Sequence, residues 1–245
     1  PVLCNDSHRQ LDVPNVYWQV HLSCPDFDVI GATFPGVPGL PHFGHNRSVA
    51  WNITHACGDY QDLYVERFDR ERPGWYRTPE GWMQAERSVC SIACRDAEPR
   101  EIVVWRTRHG PVIHGEPEGG WALALRYTAT DGPNRGFEVF RRMLLARTVE
   151  ELQEAQRGWV DPANNLVAAD TRGTIGYLTR GAIPVRASHA GRRLPAPGWT
   201  GEHEWVGTVP FERMPRSINP REGYVATANQ RIVDGDDPYI GDSYS

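Results

Sequence analysis

The sequence predicts an α+β fold in which most of the chain forms antiparallel sheets. The 245 residues include 24 Gly and 20 Pro, which separate short apolar runs in the manner of strands joined by turns. Two segments with helical periodicity lie between runs of strands instead of alternating with them. That order of elements indicates α+β and not α/β architecture.

Seven apolar segments have the length and composition of strands. The predicted strands cover residues 16–22, 48–54, 62–68, 101–110, 121–128, 165–170 and 174–181. The last two are expected to form a hairpin, with its turn near Asp170–Gly173. Residues 70–100, rich in Arg, Glu, Pro and Trp, are expected to be meandering surface strands. Residues 194–205 are expected to be an ordered loop, because Trp199 and Trp205 require burial.

Two helices are predicted between the strand runs. Residues 137–146 place their apolar side chains on one side and their charges on the other. Residues 148–158 begin with Thr148 and place Glu151 three positions later, which is the pattern of a capping box. Gly158 is the predicted end of this second helix.

Composition and charge exclude several classes of function. The net charge is −5 and the basic residues are scattered, so no nucleic-acid partner is expected. All 26 basic residues are Arg, which excludes a catalytic Lys, a Schiff base and a P-loop within this segment. No apolar run approaches the ~20 residues that span a bilayer, so no membrane partner is expected.

The cysteines do not predict a complete disulfide framework, because their number is odd. They are Cys4, Cys24, Cys57, Cys90 and Cys94. A local Cys90–Cys94 pair is one interpretation. Free buried thiols are the interpretation that we favour.

Four stretches are distinctive when they are taken together. They are PVLCNDSH (1–8), GHNRSVAWNITHACGDYQDLYVERF (44–68), DPANNLVAADTRGTIGY (161–177) and GYVATANQR (223–231). In this order they resemble the penicillin acylase family of N-terminal-nucleophile amidohydrolases, and LPAPG (194–198) adds a weaker match. The long block at 44–68 makes the resemblance specific, and the resemblance spans nearly the whole chain.

The resemblance implies an αββα four-layer sandwich, with two stacked antiparallel sheets flanked by helices, over residues 1–245. It implies an amide hydrolase in which an N-terminal Ser, Thr or Cys attacks the carbonyl and its own α-amino group serves as base. Pro1 has neither a hydroxyl nor a primary amine, so we expect the nucleophile upstream of it. The chain is then expected to be an interior part of a β subunit, truncated at both ends.

The resemblance also implies partners and a compartment. The partners are a small amide substrate, such as a β-lactam side chain or an acyl-homoserine lactone, and an α subunit released from the same self-cutting precursor. The periplasm or the exterior is the expected location. A non-catalytic ligand-binding module, or a degenerate paralogue of the acylases, is the alternative.

The resemblance further assigns catalytic positions. His8 matches a residue beside the nucleophile, where an imidazole orients the attacking hydroxyl. The backbone N–H of His55 and the side-chain amide of Asn229 match the two donors to the oxyanion. A carboxamide suits this role because it donates hydrogen bonds without titrating. An exposed loop histidine, an edge-strand histidine and a turn-forming asparagine are the structural alternatives for the three residues.

Substrate and metal positions follow from the same resemblance. Asn52 stands where relatives usually carry Gly, and its side chain is expected either to narrow the acyl pocket or to point away from it. Arg231 is expected to orient either the substrate or the strand end. A structural calcium ion is implied, with ligands from Asp59, Gln61 (carbonyl), Asp62 and Asp242, and with a further backbone ligand near Arg192. No organic cofactor is expected. A zinc site at His42, His45 and His55 is the alternative.

Overall fold

The computed structural model describes residues 1–188, 193–235 and 237–241, which form two compact units. Unit 1 comprises Pro1–Asp59, Asn134–Ile183 and Val209–Ser245, and unit 2 comprises Tyr60–Pro133 and Pro184–Thr208. Within the described ranges, no helix is long and apolar enough to span a bilayer. That residues 1–245 form one domain stays a prediction.

Strands account for most of the regular structure, as predicted. In chain order they are β1 (Trp18–Ser23), β2 (Asp28–Thr33), β3 (Phe43–His45), β4 (Val49–His55), β5 (Gln61–Arg67), β6 (Trp75–Thr78), β7 (Gly81–Gln84), β8 (Glu86–Ile92), β9 (Arg100–Thr107), β10 (Gly110–Glu116), β11 (Trp121–Tyr127), β12 (Asn164–Asp170), β13 (Ile175–Arg180), β14 (Pro184–Arg186), β15 (Ala196–Pro197), β16 (Trp205–Thr208) and β17 (Arg216–Ile218). The two α-helices are α1 (Gly136–Leu145) and α2 (Val149–Ala155), and short 3-10 helices cover Pro117–Gly119 and Phe211–Arg213.

Unit 1 is a seven-stranded antiparallel sheet with both helices on one face. The strand order is β1-β2-β3-β4-β12-β13-β17. Alternate residues of β4 and β12, among them Trp51 and Leu166, point to the helices and are almost fully buried. They pack against Met143 of α1 and Leu152 of α2. This apolar layer holds β4 and β12 in register, and β4 ends at the candidate site.

The GHN motif joins this sheet to its helical layer through Asn46. The Asn46 side-chain oxygen accepts the backbone N–H groups of Ser48 (2.8 Å) and Val49 (2.9 Å) in the turn before β4. Its amide nitrogen donates to the carbonyl oxygen of Ala146, at the end of α1, at 2.7 Å. One side chain therefore satisfies backbone groups in both layers.

Replacing Asn46 with alanine is expected to lower the free energy of unfolding by about 2 kcal/mol, because backbone groups lose their partners. Chemical denaturation of the variant beside the wild type measures the loss. Asn15→Ala, at an exposed asparagine before β1, is the control and should leave stability unchanged. Equal midpoints for Asn46→Ala and Asn15→Ala would show that Asn46 does not link the two layers.

Unit 2 contains a six-stranded sheet of order β15-β5-β11-β10-β9-β8, the hairpin β6–β7 and a two-stranded antiparallel sheet of β14 and β16. Its neighbouring strands are antiparallel except for the short β15, which pairs parallel with β5. Strands β6, β7 and β8 occupy the region predicted to be meandering strands. Trp199 and Trp205 are half-buried, so their predicted burial is partial.

The α+β class and the predicted helical pair are confirmed. Thr148 caps α2 by accepting the backbone N–H of Glu151 at 3.1 Å. The Glu151 carboxylate accepts from the backbone N–H of Arg147 at 2.8 Å, one residue before the partner that a capping box predicts. Helix α2 ends at Ala155, so the predicted end at Gly158 was wrong by one turn. The predicted hairpin at Asp170–Gly173 is confirmed as β12–β13.

One strand prediction was wrong, and several strands were missed. The single strand 101–110 is two strands, because the chain turns after Thr107 and Gly110 adopts a φ of 119°. Strands β2 and β3 were not predicted at all. Gly31 interrupts the apolar pattern of β2, yet it is needed there, since a Cβ at this position would lie 2.1 Å from the Phe43 carbonyl oxygen.

The cysteines are free thiols, as favoured, but the prediction that they are buried was wrong. Cys4, Cys24 and Cys90 are exposed, and Cys57 and Cys94 are half-buried. Exposed thiols contribute little to the hydrophobic core of unit 1 or unit 2. Core packing therefore does not explain why these positions are cysteine.

Candidate active site

The structure brings the two residues predicted to hold an oxyanion into direct contact. His55 is the last residue of β4, and Asn229 lies 174 positions later in the loop that follows β17. The backbone nitrogen of His55 donates to the side-chain oxygen of Asn229 at 2.9 Å. A main-chain amide and a carboxamide therefore converge on one point of unit 1.

The geometry of β4 explains why this N–H is available to a side chain. Strand β3 pairs with β4 only as far as Trp51, so the following residues have no strand partner on that edge. On the other edge, the backbone N–H of Ala56 donates to the carbonyl oxygen of Ala163, the residue directly before β12, at 3.2 Å. Because successive amides of an antiparallel strand point to opposite edges, the His55 N–H points away from β12.

Asn229 reaches this edge through an unusual backbone conformation. Its φ is 59°, in the left-handed region that asparagine tolerates better than most residues. The preceding chain is held by Thr227, whose hydroxyl oxygen accepts from the hydroxyl of Thr54 at 2.8 Å. The loop after Asn229 closes on itself, since the Arg231 guanidinium donates to the carbonyls of Val233 (2.8 Å) and Gly235 (3.1 Å).

The imidazole of His55 is turned toward Cys57 and not toward Asn229. Its Nδ1 accepts the backbone N–H of Cys57 at 3.0 Å and lies 3.4 Å from the Cys57 sulfur. Accepting that N–H requires an unprotonated Nδ1, so the ring has the tautomer with its proton on Nε2. The contribution of His55 to the convergent point is its backbone N–H, which any residue type except proline supplies at position 55.

His8 and Asn52 have no hydrogen bond to this pair among the described residues. His8 is exposed in the segment before β1, and among the described residues no hydrogen bond joins it to His55 or Asn229. Asn52 is buried, and its amide donates to the Cys4 carbonyl at 2.9 Å, so it anchors the N-terminal segment on the sheet. Its side chain also lines a cavity of about 830 Å³ over the face that the helices leave open.

The predicted calcium ligands are engaged with protein partners. The carboxylate of Asp62 accepts from the Arg186 Nε at 2.7 Å and also from the Trp205 indole, and Asp59 accepts from the Tyr239 hydroxyl at 3.1 Å. Gln61 is the first residue of β5. Asp242 and Arg192 lie outside the described residues. Among those described, no group of three or more His, Cys, Asp and Glu side chains is placed to hold a metal ion.

The histidines of the alternative zinc site have other interactions in the structure. His42 is buried and its Nδ1 lies 3.0 Å from the Tyr17 hydroxyl. Burial, with the positive charges of Arg180 and Arg9, lowers the pKa of His42 to about 3. His45 pairs within the sheet opposite Ala50. The neutral His42 imidazole is thus part of the core of unit 1.

Three residues near the convergent point were not singled out from the sequence. Asn165 donates to the His55 carbonyl oxygen at 3.2 Å, and Thr54 and Thr227 join the two segments that contain His55 and Asn229. Thr and Asn residues in strands and loops have no diagnostic spacing, so no sequence signal identifies this contact. Cys57 also lies here, at a φ of 52° directly before a glycine.

The chain is similar in sequence to a known protein family. The family model described as penicillin amidase matches residues 1–245. Penicillin acylase 2 proenzyme of Pseudomonas sp. (strain SE83) is 46% identical over 97% of this chain and 30% of its own length. Penicillin G acylase of Escherichia coli is 34% identical over 88% of this chain and 25% of its own length.

An acyl-homoserine lactone acylase, QuiP of Pseudomonas aeruginosa (strain PAO1), is 30% identical over 95% of this chain and 28% of its own length. The solved structure of a thermostable penicillin G acylase from Alcaligenes faecalis superposes with a TM-score of 0.83 at 28% identity, over 95% of this chain and 41% of that one. This likeness confirms the predicted fold class. The chain spans less than a third of these curated relatives.

Proposed function

This chain belongs to the penicillin amidase family, and from that premise we propose that it is part of an enzyme that hydrolyses an amide to a carboxylic acid and an amine. The contact between the His55 backbone nitrogen and the Asn229 side chain is the observation on which the proposal depends. Acyl transfer creates negative charge on the former carbonyl oxygen, and donors fixed in advance stabilise that charge. An N–H at a strand end and a carboxamide are donors of that kind.

The carboxamide must turn before it can act as a donor. In the present arrangement its oxygen lies in front of the His55 N–H, where the substrate oxygen would bind. Rotation of the carboxamide directs its Nδ2 hydrogens to the same point. The substrate oxygen then replaces the Asn229 oxygen as acceptor of the His55 N–H, so this N–H exchanges one hydrogen bond for another.

The nucleophile is proposed to be an N-terminal Ser, Thr or Cys elsewhere in the protein, with its α-amino group as base. An α-amine with a pKa near ~8 is suited to this task at neutral pH. His8 is proposed to approach this residue, since it belongs to the exposed segment that Asn52 holds against β4 through Cys4. The amine product leaves first, and water then releases the acyl group as a carboxylic acid.

The substrate is proposed to be the amide of a penicillin-like compound or of an acyl-homoserine lactone, because relatives with these names match nearly the whole chain. A processed precursor with a second subunit, and a periplasmic or secreted location, belong to the same proposal. The name proenzyme of the most similar relative reported above supports processing.

The residues expected to bind a structural calcium ion have suitable chemistry but already have protein partners. Asp59, Asp62 and the Gln61 carbonyl are hard oxygen donors of the type that calcium prefers. The charge of Asp62 is already matched by Arg186, whose side chain is only 3% exposed. These residues fit an ion poorly in this arrangement, and no step of the reaction depends on one.

Amine release by the full-length protein tests the proposal. Penicillin G and N-acyl-homoserine lactones of several chain lengths are incubated with it, and the released primary amine is measured fluorometrically. We expect release from at least one substrate, together with cleavage of the precursor into two chains. Saturable binding without amine release, by a protein that remains one uncut chain, would favour the alternative of a ligand-binding module.

A further inference from the structure

A continuous set of neutral polar side chains crosses three strands of unit 1 next to the convergent point. Thr54 of β4, Asn165 of β12 and Thr179 of β13 are direct cross-strand partners, so their side chains share one face of the sheet. Asn165 and Thr179 are 0% exposed. Burial of polar groups is costly unless each is hydrogen-bonded, so this row requires an explanation.

The hydrogen bonds between these side chains form a chain in which each group donates to the next. The Tyr177 hydroxyl donates to the Asn165 side-chain oxygen at 2.9 Å, and the Asn165 amide nitrogen donates to the Thr54 hydroxyl oxygen at 3.1 Å. The Thr54 hydroxyl in turn donates to the hydroxyl of Thr227 at 2.8 Å. Chains of hydrogen bonds that are oriented in this way reinforce one another.

This set lies beside both proposed oxyanion donors. Thr54 directly precedes His55, and Asn165 also donates to the His55 carbonyl oxygen at 3.2 Å. Thr227 is two residues before Asn229. The Thr54–Thr227 bond therefore joins the strand that contains one donor to the loop that contains the other, across 173 residues of sequence.

We infer that Thr54, Asn165 and Thr227 are positioning residues that fix the separation of the His55 N–H and the Asn229 carboxamide; this rests on the proposed function. We call the three residues the polar clamp. Oxyanion stabilisation is sensitive to donor geometry, and a displacement of about 1 Å can cost about 100-fold in rate. Apolar residues of similar size would pack at these positions without linking the two segments.

Thr54→Val and Thr227→Val test the clamp in the full-length enzyme, because valine keeps the shape of threonine and removes its hydroxyl. Each variant is expected to lower kcat about 10- to 100-fold with KM within about twofold of the wild type. Since both remove the same hydrogen bond, the double variant should be no slower than the slower single variant. Thr54→Ser restores the hydroxyl and should restore kcat.

Thr33→Val is the matched control. Thr33 is 8% exposed in the same sheet, and its hydroxyl donates to the Val37 carbonyl away from the site. This variant should keep the wild-type kcat. An unchanged kcat in Thr54→Val, failure of Thr54→Ser to restore it, or an equal loss in Thr33→Val would overturn the inference.

Hydrogen exchange separates failure of the clamp from failure of the proposed function. Thr54→Val should accelerate amide exchange in peptides that cover residues 53–57 and 225–231, whereas Thr33→Val should not. If the wild type hydrolyses no amide, the proposed function fails and exchange alone decides whether the clamp holds the two segments. Unchanged amide exchange in both peptides of Thr54→Val would refute the inference that the polar clamp holds the two segments.

Discussion

Replacing Asn229 with alanine is expected to lower kcat for amide hydrolysis by about 10²- to 10³-fold, with little change in KM. The loss corresponds to about 3–4 kcal/mol, the usual effect of removing one donor from an oxyanion site. The donor acts on charge that exists only after nucleophilic attack, so the ground-state complex is scarcely affected. Steady-state kinetics of the full-length enzyme, at saturating and limiting substrate, measures both constants.

Asn219 offers a closely matched control for this substitution. It also adopts a positive φ, 48°, and its side-chain oxygen accepts a strand N–H, that of Ile175, at 3.0 Å. Alanine at either position incurs the same backbone strain and loses the same type of hydrogen bond. If Asn229 only forms a turn, Asn219→Ala and Asn229→Ala will lower activity equally. A large loss confined to Asn229→Ala supports the catalytic role.

Replacing His109 with alanine is expected to destabilise unit 2 by about 3–5 kcal/mol, because it leaves a buried carboxylate without its partner. The His109 imidazole is fully buried between Glu66 and Glu204, at 2.7 Å and 3.0 Å respectively. The Tyr64 ring stacks on it with centroids 3.7 Å apart. Thermal and chemical unfolding measure the loss, and His114→Ala, at an exposed histidine of β10, should have no comparable effect.

The same cluster gives the stability of unit 2 a defined dependence on pH. Burial alone lowers the pKa of His109, but its hydrogen bonds to Glu204 and Glu66 outweigh burial and the net pKa is raised. Burial raises the pKa of Glu204, but its hydrogen bond to His109 and nearby charges lower it overall. A raised histidine pKa contributes stability that is lost as pH rises through it, and a lowered glutamate pKa contributes stability that is lost as pH falls through it.

The ionic contribution of the cluster is therefore fully present between the ordinary pKa values of the two groups, 4.5 and 6.5. Above this window the wild type should lose stability as His109 deprotonates. His109→Gln should remove that part of the profile. Unfolding free energies measured across the pH range test this, and parallel wild-type and variant profiles above pH 6.5 would contradict it.

The sequence predicted the fold class because its strands are apolar runs bounded by glycine and proline. The prediction from sequence was wrong where the structural role of a residue does not follow from its residue type. Gly31 lies inside β2 because the Phe43 carbonyl leaves no room for a Cβ, yet in the sequence it looks like the end of a strand. The division into two units was not predicted, since no change in composition marks the boundaries at Tyr60 and Pro184.

The candidate site was predictable only in part. The resemblance of the motifs identified His55 and Asn229, and the structure places them in contact. That the Asn229 oxygen accepts the His55 N–H depends on side-chain conformation, which the sequence does not specify. Asn165 and Thr227 were missed because their significance lies in a hydrogen-bonded chain between segments that are far apart in sequence.

Activity and stability of Asn229→Asp, measured together on the full-length enzyme, test whether the Asn229 carboxamide donates to the oxyanion. Aspartate retains an oxygen to accept the His55 N–H and tolerates the same backbone conformation, so the folded structure should be kept. It lacks the amide donor and places a negative charge where the substrate oxygen becomes negative. We expect Asn229→Asp to keep the wild-type melting temperature while its kcat falls at least about 100-fold. A variant that keeps both this melting temperature and a near-normal kcat would show that the Asn229 amide does not stabilise the oxyanion.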